Sequence, residues 1–98
     1  MIDRINKNEE RLDNILANIE SLEIALDVFK RNKKDFSLLN KYYGSKEWFK
    51  DKEKHDNGSI VIKAGVLSED AVWNMNEDIN DLISEMRDIV SIFDEKKI

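Results

Sequence analysis

Two series of apolar residues, each repeating every seven positions, run side by side through the first part of this 98-residue chain. They consist of Ile5, Leu12, Ile19 and Leu26, and of Ile15, Leu22, Phe29, Phe36 and Tyr43. Because the two series are offset by three residues, they fill the a and d positions of a heptad repeat and predict a long helix with a narrow apolar stripe. We call this stripe the N-terminal seam. A single helix cannot bury its own stripe, so the pattern implies a packing partner.

The composition favours long, solvated helices in a reducing environment. Charged residues make up 38% of the chain, against about 25% in an average domain. The chain has no proline and no cysteine, so helices can run uninterrupted and neither disulfides nor thiolate metal sites are available. No long apolar run follows the charges near the N-terminus, so we expect no signal peptide, no membrane span and a cytoplasmic location.

The net charge of −5 is distributed unevenly along the sequence. Residues 1–29 carry −4, residues 30–54 carry +5 and residues 55–98 carry −6. We therefore expect the basic middle and the acidic end to be partners within the fold.

The first helix is expected to run from about residue 2 to about residue 31. Seam positions further along are polar, at Lys33 and Asn40, so the stripe must bend or reach solvent there. A helix continuous to Tyr43 would be about 60 Å long, more than a domain of this size needs. We therefore predict a break near Asn32.

Two short helices are predicted in the middle, at about residues 35–43 and 46–54. Gly44 and Ser45 separate them, because glycine reaches the left-handed conformation at a helix end and serine caps the start of the next helix.

Residues 55–67 are expected to form a loop. It begins with the turn-forming sequence HDNGS at residues 55–59. The β-branched residues Ile60, Val61 and Ile62 follow, without an evident second strand to pair with them. We predict an extended segment that fills an apolar gap.

A second long helix is predicted at about residues 69–94. Ser68 is a candidate N-cap, and Glu69 and Asp70 place negative charge at the positive end of the helix dipole. The heptad pattern recurs along this helix, at Val72, Met75, Ile79, Leu82, Met86, Ile89 and Phe93. The predicted fold is all-α: one helical domain over residues 1–98, in which the two long helices form an antiparallel hairpin. The short helices and the extended segment lie in the middle, which makes a small helical bundle.

Two short strings connect the chain to a known family. They are YYGSKEW at residues 42–48 and GVLSEDAVW at residues 65–73. With the charged heptad helix before them and the closing helix after them, they resemble the small bacterial family domain of unknown function 4298 over nearly the whole chain. Residues 60–64 depart from the pattern of that family, whose members often carry glycine and proline there. The resemblance implies a cytoplasmic bacterial or phage-borne protein without an established activity, and it supplies no catalytic residues.

The only histidine has carboxylates near it in the sequence. Asp51, His55 and Asp56 could form half of a metal site or an acid–base pair, but one histidine in a glycine-containing turn is more typical of a solvated side chain. Because no nucleotide-binding loop, nucleophile elbow or zinc spacing is present, we expect no enzyme, no cofactor and no metal.

An aromatic and acidic group of residues is the first candidate binding site. Its members are Tyr42, Tyr43, Trp48, Glu69, Asp70 and Trp73. In a structural interpretation, Trp73 packs with Trp48 and the tyrosines. In a functional interpretation, the group lines a groove for a peptide or a basic side chain, because half-exposed tryptophans often bind.

The basic middle is a second candidate surface. It combines Lys30, Arg31, Lys33, Lys34, Lys41, Lys46, Lys50, Lys52 and Lys54 with Tyr42, Tyr43, Trp48 and Phe49. That composition suits single-stranded nucleic acid, but the chain lacks a strongly basic footprint. We expect a lysine-rich solvated face and no direct nucleic-acid binding.

A row of carboxylates on the last helix is the third candidate surface. It consists of Glu77, Asp81, Glu85 and Asp88, and we call it the acidic stripe. Like charges at this spacing destabilise a helix. The basic middle could relieve the repulsion, or a cationic partner could do so.

These patterns predict a non-enzymatic protein-interaction or oligomerisation module whose partner is another protein, with a coiled-coil homodimer as one form. The alternative is a small acidic inhibitor, a decoy that binds a nucleic-acid-handling protein through the acidic stripe.

Overall fold

The computed structural model describes residues 1–94. In this part of the chain the elements are α1 (Ile2–Lys30), α2 (Lys33–Tyr42), α3 (Lys46–Asp56), a 3₁₀ turn (Gly65–Leu67) and α4 (Ala71–Asp94). No strand occurs among the described residues, which confirms the all-α fold with a long N-terminal helix. The antiparallel hairpin of the two long helices stays a prediction. The chain divides into two units, Met1–Ser37 and Leu38–Ile98, and each is described by itself.

Unit 1 consists of α1 and the first half of α2. No residue of α1 is buried. The seam residues Ile5, Leu12, Ile15, Ile19 and Leu22 are between 46% and 55% exposed. Since one helix provides no second layer, unit 1 carries an apolar stripe that it does not cover by itself.

The break between α1 and α2 falls at Arg31 and Asn32, where the polar seam positions predict it. The Arg31 N–H donates to the Val28 carbonyl at 3.2 Å, and the Asn32 N–H donates to the Phe29 carbonyl at 2.9 Å. These three-residue steps tighten the last turn of α1. The α-helical i→i−4 pattern of hydrogen bonds resumes at Phe36, whose N–H donates to the Asn32 carbonyl. α2 therefore begins at Lys33, slightly before the predicted residue 35.

Unit 2 begins with the rest of α2, which is joined to α3 by Gly44 and Ser45. Gly44 has φ of +77°, and the Ser45 hydroxyl accepts a hydrogen bond from the Trp48 N–H at 3.2 Å. The glycine ends one helix and the serine caps the next, as the sequence predicts.

α3 extends two residues beyond its predicted end and includes His55 and Asp56. The expected turn is therefore shorter. It begins at Asn57, whose side-chain oxygen accepts the Ser59 N–H at 2.9 Å, and it turns at Gly58, with φ of +79°. This Asx turn needs only Asn57 and the two residues after it, which leaves His55 free to remain helical.

The extended segment at residues 60–62 does not fill an apolar gap, and that prediction was wrong. Val61 is 93% exposed, Ile62 is also exposed and only Ile60 is half-buried. Leu67, from the 3₁₀ turn, is buried instead, together with Trp48 and Val72. These side chains already supply the core of unit 2.

α4 begins at Ala71, two residues later than predicted. The Ser68 hydroxyl accepts the Ala71 N–H at 3.0 Å, so Ser68 does act as a cap. The Glu69 carbonyl accepts a hydrogen bond from the Tyr43 hydroxyl at 2.6 Å, and the first helical bond runs from Asn74 to Asp70. Because the first helical bond is accepted by Asp70, α4 begins at Ala71.

Replacement of Gly44 by alanine tests the left-handed junction. A Cβ at φ of +77° is strained, so Gly44→Ala should lower the free energy of unfolding by about 1–2 kcal/mol. Gly65→Ala is the matched control, because Gly65 has no positive φ and a methyl group added there would meet nothing within 4 Å; the control should change stability by less than about 1 kcal/mol. Urea denaturation measures both, and equal effects would contradict the assignment.

Candidate functional site

The centre of unit 2 is the indole of Trp48. Its side chain is only 4% exposed, and its Nε1–H donates to the Val66 carbonyl at 3.0 Å. Tyr43 and Phe49 meet it edge to face, with ring centroids 5.3 Å and 4.9 Å away. Trp48 therefore joins α3 to the 3₁₀ turn through packing and a hydrogen bond at once.

Both neighbouring tyrosines use their hydroxyl groups within unit 2. Tyr43 donates to the backbone of Glu69 and Tyr42 donates to the Asp51 carboxylate, each at 2.6 Å. Tyr42 and Tyr43 are half-buried. Of the predicted aromatic site, these two residues and Trp48 are thus engaged in holding unit 2 together.

The contact with Asp51 changes the acidity of Tyr42. The hydrogen bond to the carboxylate raises the pKa of Tyr42 from 10.0 to about 12, with additional contributions from burial and from the negative charge of Asp51. Each cause favours the neutral phenol over the phenolate.

A pair of amides forms a second polar link in unit 2. The Asn76 side-chain nitrogen donates to Asn40 at 2.8 Å and to the Val72 carbonyl at 3.0 Å. The sequence indicates Asn40 only as an interruption of the seam, and it gives no separate signal for Asn76. The available signal is Asn40 itself, a polar residue at an otherwise apolar heptad position.

Trp73 lies on the surface, and its predicted packing with Trp48 is wrong. Trp73 is 59% exposed, whereas its neighbour Val72 is buried. Successive residues of a helix point about 100° apart, so the turn that buries Val72 rotates Trp73 away. Glu69 and Asp70, just before α4, are exposed as well.

The acidic stripe of Glu77, Asp81, Glu85 and Asp88 is exposed along α4. Within residues 38–94 no lysine or arginine forms an ion pair with these carboxylates; Lys52 pairs with Asp56 at 3.2 Å instead. The expected relief by the lysines of the basic middle is therefore not found in unit 2. Within residues 38–94, no ion pair offsets the repulsion between the neighbouring carboxylates of the stripe.

The histidine cluster is divided among other contacts. Asp51 accepts the Tyr42 hydroxyl, and the His55 Nδ1 lies 3.7 Å from an oxygen of Asp56. Across residues 1–94 no group of three or more histidine, cysteine, aspartate or glutamate side chains is arranged to hold a metal ion.

The basic middle offers little stacking surface to single-stranded nucleic acid. Trp48 is buried, and Tyr42 and Tyr43 are half-buried and hydrogen-bonded, whereas Phe49 is exposed. Base stacking needs an open ring face. Of these four rings only Phe49 is well exposed, so it alone could stack on a base.

These features define a small all-α protein whose aromatic motif forms a structural core. Residues 5–89 match the family described as Domain of unknown function (DUF4298), and the chain belongs to that family. No curated protein and no solved structure matches it. None of the helices in residues 1–94 has both the length and the apolar character needed to cross a membrane.

Substitution of the two tryptophans should separate their roles. Trp48→Phe removes the donor to Val66 and part of the core, so we expect a loss of about 2–3 kcal/mol in the free energy of unfolding. Trp73→Phe is the matched control and should cost less than about 0.5 kcal/mol. The Trp73→Phe variant retains only the buried Trp48, and the Trp48→Phe variant retains only the exposed Trp73. The fluorescence of Trp73→Phe should therefore have its maximum at a shorter wavelength than that of Trp48→Phe. The reverse order of emission would show that Trp48 is the solvated indole.

Alkaline titration tests the Tyr42–Asp51 contact. Asp51→Ala should lower the pKa of Tyr42 from about 12 towards 10.0, as followed by tyrosinate absorbance, and Tyr42→Phe identifies the signal. Because the folded pKa is raised, the contact stabilises the fold fully below pH 10 and loses this contribution as the pH rises towards 12. An unchanged titration in Asp51→Ala would refute the contact.

Proposed function

We propose that this protein is a non-enzymatic protein-interaction and oligomerisation module that binds through the N-terminal seam. The observation that supports the proposal is the exposure of α1, a helix of 29 residues of which none is buried. Its seam side chains form an apolar line that is uninterrupted from Leu12 to Phe29, and large exposed apolar surfaces in soluble proteins mark interaction sites.

The energetics of the seam favour an apolar helical partner. Seven seam residues lie within α1: Ile5, Leu12, Ile15, Ile19, Leu22, Leu26 and Phe29. Burial of the exposed part of each contributes about 1 kcal/mol, or about 7 kcal/mol for one helix. Association itself costs about 4–15 kcal/mol. A partner with a matching apolar stripe contributes as much again, which brings the total to about 14 kcal/mol and close to the upper end of the cost, whereas the seam of one helix offsets only its lower part.

The contacts of unit 2 support a structural rather than a catalytic use of its polar groups. The Asp51 carboxylate is occupied by Tyr42, and the Trp48 indole N–H is occupied by Val66. The absence of cysteine from the sequence suits a module that works in the reducing bacterial cytoplasm.

The acidic stripe supports a second candidate function, that of an acidic decoy for a nucleic-acid-handling protein. Its four carboxylates are exposed, and none forms an ion pair within residues 38–94. A row of negative charge can occupy a cationic groove that otherwise receives phosphates.

Partner capture with two matched variants tests both functions. The seam variant is Ile19→Glu, and the stripe variant combines Asp81→Lys with Glu85→Lys. We expect the seam variant to lose the protein captured by the wild type, because a charge in an apolar interface leaves an unpaired, desolvated group. The stripe variant should retain it, and binding should persist in about 1 M salt, where charges are screened beyond about 3 Å.

The opposite pattern supports the decoy. In that case Ile19→Glu has no effect, the stripe variant loses binding, and the captured complex dissociates at moderate salt. Unchanged tryptophan fluorescence in both variants shows that unit 2 remains folded. Binding that is insensitive to both variants would contradict both functions.

A further inference from the structure

We propose that a second copy of this chain covers the N-terminal seam, with the two α1 helices antiparallel and Ile19 facing Leu22 of the second copy. This inference rests on the proposed function and names its partner. It follows from the order of apolar, polar and charged residues along a helix that the structure leaves unburied.

The apolar layers match throughout the part of α1 that this arrangement pairs. In an antiparallel pair, a positions of one helix face d positions of the other. The chosen register produces six inner layers by symmetry, all apolar: Leu12 with Phe29, Ile15 with Leu26, and Ile19 with Leu22, each occurring twice. All six layers lie within α1, between residues 12 and 29.

The polar seam residue of α1 lies outside the apolar layers in this register. Asn8 occupies a d position, and the arrangement places it opposite the end of α1 of the second copy, where the helix breaks at Arg31 and Asn32. The Asn8 amide is already satisfied locally, since it donates to the Arg4 carbonyl at 2.9 Å. A polar residue in a heptad seam favours a register that does not bury it against apolar side chains. A shift by one heptad would place Asn8 against Leu26.

The charges beside the seam select the same register. The flanking residues Glu9 and Lys30 meet across the interface twice, as opposite charges. In the register shifted by one heptad, Glu9 would face Glu23 of the second copy. Like charges directly opposite each other destabilise a pair and opposite charges stabilise it.

A parallel pair is disfavoured by the basic end of the seam. Residues 30–34 contain four cations, and parallel helices would bring the two clusters together and set Lys33 against its own copy. The parallel pair would gain the contact of Arg4 with Glu9, which symmetry also repeats, so the basic clusters decide against it. The antiparallel pair places the clusters at opposite ends and loses nothing in its inner layers.

Distances between spin labels test orientation and register. Because the chain has no cysteine, Asn6→Cys and Ser21→Cys each carry one nitroxide outside the a and d positions. In the proposed dimer the Ser21 labels lie near the symmetry axis and close together, and the Asn6 labels lie about 44 Å apart along the helix axis. Pulsed dipolar electron resonance measures both distances, and sedimentation equilibrium measures the dimer.

Each other outcome overturns the inference in an identifiable way. A short Asn6 distance indicates a parallel pair, and an Asn6 separation of about 33 Å along the axis indicates the register shifted by one heptad. A monomer at all concentrations eliminates the second copy as partner. If Ile19→Glu still abolishes capture of another protein, the proposed function survives that result.

Charge exchange provides an independent readout. Lys30→Glu should raise the dimer dissociation constant about fivefold, by replacing two attractions with two repulsions. Addition of Glu9→Lys should restore it to within about twofold, since the opposite charges are then exchanged. Arg4→Glu is the control and should leave the constant unchanged. Weakening by Arg4→Glu without an effect of Lys30→Glu would contradict the antiparallel pair.

Discussion

The burial of one indole is the interaction on which unit 2 depends. Trp48 places a large apolar ring between α3 and the 3₁₀ turn, and its N–H fixes the carbonyl of Val66. With Val66 held, Leu67 is buried and Ser68 is in place to cap α4. A small core gains specificity from such a side chain, because the ring supplies area and the hydrogen bond supplies direction.

Unit 1 obeys a different constraint. α1 has hydrogen bonds along its backbone but no second layer within its unit, so little tertiary packing stabilises it. A partner that covers its stripe binds the ordered helix in preference to the unfolded chain, and binding then adds to its stability. With the proposed partner bound, order in this unit would depend on protein concentration, whereas order in unit 2 comes from contacts inside one chain.

Local rules predicted the elements, and tertiary contacts decided the rest. The break at Asn32 and the caps at Gly44, Ser45 and Ser68 follow from the residue types at those positions, which is why the sequence suffices for them. The heptad pattern of α4 includes Val72 and leaves out Trp73, so it already indicated that Trp73 faces away from the core. The burial of Trp48 depends on its contacts with the 3₁₀ turn, which no local pattern encodes. Composition located the binding candidates, yet it could not distinguish rings that pack from rings that are exposed.

The segment at residues 60–64 contains no buried residue, and its middle, residues 61–63, is exposed. Since Val61 and Ile62 bury little of their surface, the path between α3 and the 3₁₀ turn is free to vary in length and sequence. Insertions or exchanges there leave the Trp48 contacts intact, and a cut in this loop would leave two fragments with those contacts still available to hold them together. Sequence changes during evolution disturb the fold least in this loop. The same is true of an attached probe or tag.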